Sequence, residues 1–228
     1  MDPRVKAGMD EQLRERRARL DSGNRPLGWK VGFGAPAAME KLRIDAPLIG
    51  YLLQSALVPS GIALELGRFE NPVVEPEIAI HLGADVPAGA GADEAAGAIR
   101  ALGPAIEVAD LTHPPEDVTE ILKLNIYQRH VILGKAEKAR LGARLAGLMA
   151  RIDQDGAILA RTDEMEANTG KLIDIVQSVS RSLSACGETL AAGEIIIAGS
   201  IVPPIFVDGP TSISYALDPV DAISVAFS

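Results

Sequence analysis

The sequence predicts an α+β fold, a mixed β-roll or distorted barrel with a few helices packed outside it. Short β-branched runs outnumber helical stripes, a hairpin signal and three further strand runs crowd the C-terminal half, and strands do not alternate with long helices as a doubly wound sheet requires. At 228 residues and 47% hydrophobic, the chain suffices for one sizeable core.

The elements follow in order. Residues 4–20 form a polar helix in which Arg14, Arg16, Arg17 and Arg19 interleave with Glu11 and Glu15. That mixture suits a solvated or subunit-packing face rather than a nucleic-acid surface. Residues 28–32 read as a strand entering a turn, 37–42 as a short helix, and 47–53 and 62–66 as strands. An apolar run at 73–80 is followed by a Gly/Ala loop at 86–92, a helical pattern at 93–102 with Asp93 as N-cap, and a second apolar run at 104–109. Strand, helix and strand within some thirty-odd residues read as a parallel βαβ unit. Val118, Ile121 and Leu122 keep helical spacing up to Asn125, and residues 131–134 return to strand. Residues 148–160 alternate around Asp155-Gly156, the residues of a tight hairpin turn. Leu172, Ile175, Val176, Val179 and Leu183 share one helical stripe that stops at Gly187. Strands at 195–198, 212–216 and 222–227 complete the chain.

The balance of 22 basic and 31 acidic residues, a net charge of −9, disfavours nucleic acid and anionic membranes as partners. One cysteine, Cys186, excludes an intrachain disulfide and reads as a buried structural thiol. The N-terminus is charged, and no apolar run is long enough to span a bilayer, so the expected location is cytoplasmic. His81, His113 and His130 lack zinc-ligand spacing, and no G-x-S-x-G elbow is present. Gly32-Phe33-Gly34-Ala35-Pro36-Ala37 matches a dinucleotide fingerprint in outline. Lys30 in the preceding strand, Pro36 within the motif and the lack of a following acidic residue argue for a plain turn instead.

Glu75 and Glu77 stand one residue apart in an apolar strand and therefore project from the same face. Glu107 sits in a second apolar run with no basic neighbour in sequence. Three such acids suit one divalent ion, because like charges in a desolvated place repel unless a cation lies between them. The alternative places Glu75 and Glu77 on the solvated face of an edge strand, which Pro76 tolerates, with Glu107 paired to a distant arginine. Lys30, between Trp29 and Val31, either extends to the surface or serves a site as the cation for a carboxylate or enolate.

Several stretches, taken together, resemble the fumarylacetoacetate hydrolase superfamily, within it the 2-keto-4-pentenoate hydratase and 4-oxalocrotonate decarboxylase branch. They are Gly28-Trp29-Lys30-Val31-Gly32, Leu48-Ile49-Gly50-Tyr51-Leu52-Leu53, Val74-Glu75-Pro76-Glu77-Ile78-Ala79, Pro104-Ala105-Ile106-Glu107-Val108, Asn125, and Gly187-Glu188-Thr189-Leu190 through Ala198-Gly199-Ser200. The chain reads as one domain with an N-terminal helical extension, residues 1–27, and the resemblance implies that residues 28–228 are a catalytic domain with the superfamily's C-terminal-domain fold. It implies Mg²⁺ or Mn²⁺ on Glu75, Glu77 and Glu107, Lys30 as catalytic and substrate-binding residue, and Asn125 and Ser200 as further substrate contacts. The expected activity is a lyase acting on a small 2-oxo or 2-hydroxydienoic acid, first a hydratase that ketonises its substrate and adds water. A 2-oxo acid decarboxylase, an acylpyruvate-type C–C hydrolase and a catalytically silent ligand-binding relative follow in that order. A homo-oligomer is expected.

Two departures from the branch bear on the reaction. Gln54 and Ser55 occupy a stretch where hydratases carry an acid, and Ile126-Tyr127-Gln128-Arg129 replaces small residues. Water addition benefits from a general base, whereas loss of CO₂ mainly needs the enolate stabilised. Hydration is therefore expected to be the slower reaction, with Glu40 or Tyr127 as the substitute base if it is fast.

Overall fold

The computed structural model describes all residues, Met1–Ser228. Five helices, α1 (Pro3–Asp21), α2 (Pro36–Leu42), α3 (Ala92–Ala98), α4 (Val118–Lys123) and α5 (Leu172–Ser184), pack around two sheets. The larger sheet contains β1 (Pro26–Gly32), β2 (Leu48–Leu53), β4 (Pro72–Leu82), β5 (Ile99–Asp110), β6 (Gln128–Leu133), β9 (Ile195–Ser200) and β10 (Ile205–Phe206). Its order is β2-β1-β9-β4-β5-β6, with β10 on β4. The smaller sheet, ordered β3-β12-β11-β7-β8, is built from β3 (Ile62–Leu64), β7 (Met149–Gln154), β8 (Ala157–Thr162), β11 (Thr211–Asp218) and β12 (Asp221–Phe227). The larger sheet curls into a half-barrel, as the expected roll does. Most pairings are antiparallel, but β1–β9 and β3–β12 are parallel, which makes both sheets mixed.

The two faces of the larger sheet differ. Alternate residues such as Trp29, Val74, Ile78, Ile106 and Ile196 join the main core beneath the helices and the smaller sheet. The other face holds a small cluster, Leu27, Leu52, Ala79, Ala105, Val131, Ile195 and Ile197. All seven are buried, and Leu133 packs against them. Lys30 aligns with Ile197, and Glu77 lies two residues before Ala79, so the charged residues share this face. Gly28 permits the curl where β1 meets β9: a Cβ there would lie 2.0 Å from the Ile195 carbonyl oxygen.

The parallel βαβ unit expected across residues 73–109 is not what forms. β4 and β5 are antiparallel neighbours, and the helix between them stops at Ala98, where β5 begins. Seven helical residues rise only about 10 Å, far short of a strand of eleven residues at about 3.3 Å each. The chain therefore turns back beside β4 instead of crossing the sheet. Asp93 lies within the first turn of α3, whose N-cap is Gly91.

The N-terminal helix, expected as an extension, packs on α4 and places Met9 and Leu13 in the main core. Gln12 donates from Nε2 to the Leu122 carbonyl at 2.9 Å. Arg16 lies over the Trp29 ring at 4.6 Å and pairs with Glu188 and Glu194, at 3.2 and 3.9 Å. Cys186 is half-buried beside the Met1 sulfur rather than enclosed. No helix is long and apolar enough to cross a membrane.

Candidate metal centre

β4 is a central strand, so the solvated-edge reading of Glu75 and Glu77 does not hold. Pro76 fits there because its carbonyl accepts from Ile201, just past the end of β9, while β10 rejoins β4 only at Val74. The missing N–H thus faces an interruption in the ladder. The antiparallel register sets Glu75 directly opposite Glu107, and Glu77 follows on the same face. One ligand oxygen from each of the three carboxylates lies within 4.8 Å of the others.

Glu77 and Glu107 are fully buried and Glu75 partly so. Glu77 Oε2 accepts the Gly199 N–H at 2.7 Å, and Glu107 Oε1 accepts from the Lys30 ammonium. Their other oxygens, Glu77 Oε1 and Glu107 Oε2, have no partner. Buried orphan carboxylate oxygens are costly, and here both belong to one cluster. Burial, then the neighbouring Glu107 charge, pushes Glu75 up to about 7 against the pull of Lys30. Burial followed by the charges of Glu107 and Glu75 holds Glu77 well above the carboxylate range. Burial also raises Glu107, although Lys30 opposes it. One ammonium faces three carboxylates, and a divalent cation would neutralise the remainder.

Lys30 is buried, so it does not extend to the surface; the fold supplies Glu107 with the cation that its sequence neighbours lack. The Lys30 ammonium also donates to the Ile126 carbonyl at 3.2 Å. Two of its three donors are thereby engaged, which leaves one for a ligand. That carbonyl is aimed by an unusual turn in which Asn125, Ile126 and Tyr127 have φ of 50°, 51° and 61°. Three consecutive left-handed residues without a glycine, one of them β-branched, are strained and must be held from outside. Asn125 holds them: its Oδ1 accepts the Tyr51 N–H at 2.8 Å and its Nδ2 donates to the Tyr51 carbonyl at 2.9 Å. Asn125, expected to contact substrate, is therefore spent on the backbone and does not line the cavity beside the carboxylates.

That cavity, about 370 Å³, is lined by Lys30 and Glu75, by Ser200 and Tyr127, and by walls that include Phe33 and Phe206. Ser200 is buried, and its hydroxyl has no partner, as a group awaiting a ligand would be. A larger cleft of about 900 Å³ lies on the other side of the 125–127 turn, lined by charged residues of α1 with Arg129 and Ser55, and it contains none of the three glutamates. Ser55 accepts from Asn24 there, so an acid at that position would face the outer cleft rather than the carboxylates. Glu40 is exposed on α2 and does not line the cavity, whereas Tyr127 does. The Ile126 carbonyl, the Gly199 N–H and the apolar walls were not visible in the sequence; Asn125 was the single clue to the turn.

No family model matches the chain. Among characterised proteins it is 26% identical over 184 residues to a 4-oxalocrotonate decarboxylase of a Pseudomonas species, spanning 80% of this chain and 71% of that one. It is 25% identical over 214 residues to the 2-keto-4-pentenoate hydratase of Burkholderia vietnamiensis, spanning 92% and 81%. The fold matches the 4-oxalocrotonate decarboxylase of Pseudomonas putida G7 complexed with magnesium and adipate at a TM-score of 0.86 and 22% identity, over 95% of this chain and 83% of that one. It also matches fumarylpyruvate hydrolase from Pseudomonas aeruginosa in complex with Mn²⁺ and pyruvate, at 0.61 and 15% identity over 87% and 88%.

Proposed function

From a chain related to the 2-keto-4-pentenoate hydratases and 4-oxalocrotonate decarboxylases, with the fold of the fumarylacetoacetate hydrolase superfamily, we propose a metal-dependent lyase acting on a small 2-oxo or 2-hydroxydienoic acid. Hydration is the first reading and decarboxylation the second. The observation that carries the proposal is the convergence of Glu75, Glu77 and Glu107 on one point beside a buried lysine, with Glu75 and that lysine lining a cavity.

The donor set fits a hard divalent ion. All three ligands are carboxylates, two retain an unpartnered oxygen, and Mg²⁺ and Mn²⁺ prefer oxygen. When bound, such an ion supplies Lewis acidity toward the 2-oxo group and the enolate charge that develops from it. The protein's own groups do the rest. The free donor of Lys30 is placed to bind the substrate carboxylate or to move a proton at the reacting carbons, and the Ser200 hydroxyl adds a neutral donor beside it. Tyr127 lines the same cavity, and burial raises its phenol, so it enters the reaction neutral, as a donor rather than a ready base. The apolar walls keep bulk water from the developing charge. With Gln54, Ser55 and Glu40 outside the cavity, no spare carboxylate stands ready as a base. Decarboxylation needs none, and this favours keeping it as the second reading.

Within this reading the protein works in the cytoplasm as a homo-oligomer. Support comes from the edge strand β8, whose Ile158 and Leu159 are 63% and 50% exposed, an apolar edge that a second copy would cover.

Two measurements test the function. Oxalate, a mimic of the 2-oxo acid head, should bind only with Mg²⁺ present, and equal binding in chelator would remove the model. Turnover with Mg²⁺ should appear on 2-hydroxypenta-2,4-dienoate, oxalocrotonate or oxaloacetate. Acylpyruvate cleavage alone would move the chain to the C–C hydrolases, and inactivity on all of them with oxalate still bound would leave a binding protein.

A further inference from the structure

We infer that the cavity selects a substrate whose tail is uncharged and apolar, a 2-oxo or 2-hydroxydienoic monocarboxylate rather than a dicarboxylate. The inference rests on the 2-oxo acid reading above and concerns the part of the molecule that points away from the carboxylates.

Among all the cavity-lining residues, only Lys30 and Glu75 carry charge, and both sit at the metal-binding floor. Lys30 is already committed to Glu107, the Ile126 carbonyl and the substrate head. The walls leading outward are apolar, formed by Phe33, Ala38, Val73, Leu111, Pro204 and Phe206. Of the polar side chains on these walls, the Asn168 amide donates to the Ser200 carbonyl at 2.7 Å and the Thr169 hydroxyl to the Gly170 carbonyl at 3.1 Å. Ser200 lies on the strand beside Glu77 and belongs to the head end. That leaves the second Asn168 N–H and the Tyr127 hydroxyl, both neutral. Two cations lie two residues from the lining in sequence. Arg129, beyond Tyr127, faces the outer cleft, 4.0 Å from Asp110 and stacked 5.8 Å from the Phe69 ring. Lys171, beyond Thr169, is exposed at the start of α5 and does not line the cavity.

A second carboxylate in this cavity would lose its water and gain no cation in return, in a protein that is already net negative. An alkyl or alkenyl tail gains instead from every methylene placed against the walls. The volume, about 370 Å³, lies at the small end of ligand sites and holds a 2-oxo acid head with a tail of a few carbons.

A matched pair of six-carbon ligands tests this by titration calorimetry with Mg²⁺. 2-Oxohexanoate and 2-oxoadipate differ only at the far end of the tail. 2-Oxohexanoate should bind at least about tenfold more tightly than 2-oxoadipate, and more tightly than pyruvate. Phe206 is 60% exposed, so Phe206→Arg tolerates the change and places a cation at the wall. That variant should narrow or reverse the preference. Equal or tighter 2-oxoadipate binding by the native protein, with oxalate still bound, would overturn the apolar-tail assignment alone, as would an unchanged preference in Phe206→Arg. Failure of oxalate itself to bind with Mg²⁺ would overturn the 2-oxo acid reading and this inference with it.

Discussion

Glu77 and Glu107 each hold a buried oxygen that the rest of the protein does not satisfy, and Glu75 is pushed up beside them, so single substitutions have distinct signatures. Glu107→Gln removes a ligand charge and the partner of Lys30, so Mg²⁺ affinity should fall by at least about tenfold, the effect of one lost charged contact. Unchanged affinity by calorimetry would refute the site. Glu75 predicts a pH dependence. Its folded value of about 7 exceeds its ordinary 4.5, so its contribution to the stability of the metal-free protein is fully present below about pH 4.5 and lost as pH rises through about 7. Between pH 5 and 8 the metal-free native protein should therefore lose more stability than Glu75→Gln does, and Mg²⁺ should flatten the native curve. Parallel melting curves for the two proteins without metal would show that Glu75 is not strained by its neighbours. The same protons compete with the ion, so Mg²⁺ should bind more weakly at pH 6 than at pH 8, with proton release on binding.

Individual elements matter through what they hold in place. The antiparallel β4–β5 pair puts Glu75 opposite Glu107, and a slip of one residue would send Glu107 to the other face. The left-handed 125–127 turn aims the Ile126 carbonyl at Lys30 and depends on Asn125 clasping the backbone of β2. Asn125→Ala leaves a buried N–H and a buried carbonyl of Tyr51 without these partners, at a cost of about 2–4 kcal/mol. Thermal unfolding should show that loss, and turnover should drop with it because Lys30 loses its guide. A variant as stable as the native protein but impaired only in substrate affinity would return Asn125 to direct substrate contact. Gly50 belongs to the same unit: a Cβ there would lie 2.9 Å from both the Asn125 side chain and the Lys30 stem.

Across the whole molecule, α1 closes the main core. Leu13 is fully buried, and Arg16 ties the helix to Trp29, Glu188 and Glu194. A dispensable extension would tolerate Leu13→Ala, whereas a core element should lose about 2–5 kcal/mol. Chemical denaturation of that variant decides between them, and a midpoint unchanged from the native protein would make residues 1–27 an appendage. The distribution of charge has the same scale: the chain carries −9 overall but buries its one cavity lysine among three acids. The positive charge that an anionic substrate needs must therefore come mostly from the ion.

The sequence by itself determined most of the elements and the three candidate ligands. Helix and strand runs such as residues 172–183 and 195–198 announce themselves by local periodicity, and the spacing of Glu75 and Glu77 fixes a shared face whatever the topology. Tertiary structure decided everything that joins distant positions. Whether β4 and β5 run parallel or antiparallel depends on how far the connecting chain travels, and α3 had to be seen to stop at Ala98. The pairing of Lys30 with Glu107 spans 77 residues. The positive φ angles of Asn125, Ile126 and Tyr127 leave no glycine to mark them. Such contacts carry no local pattern, because their energy comes from burial and from partners that only the folded chain brings together.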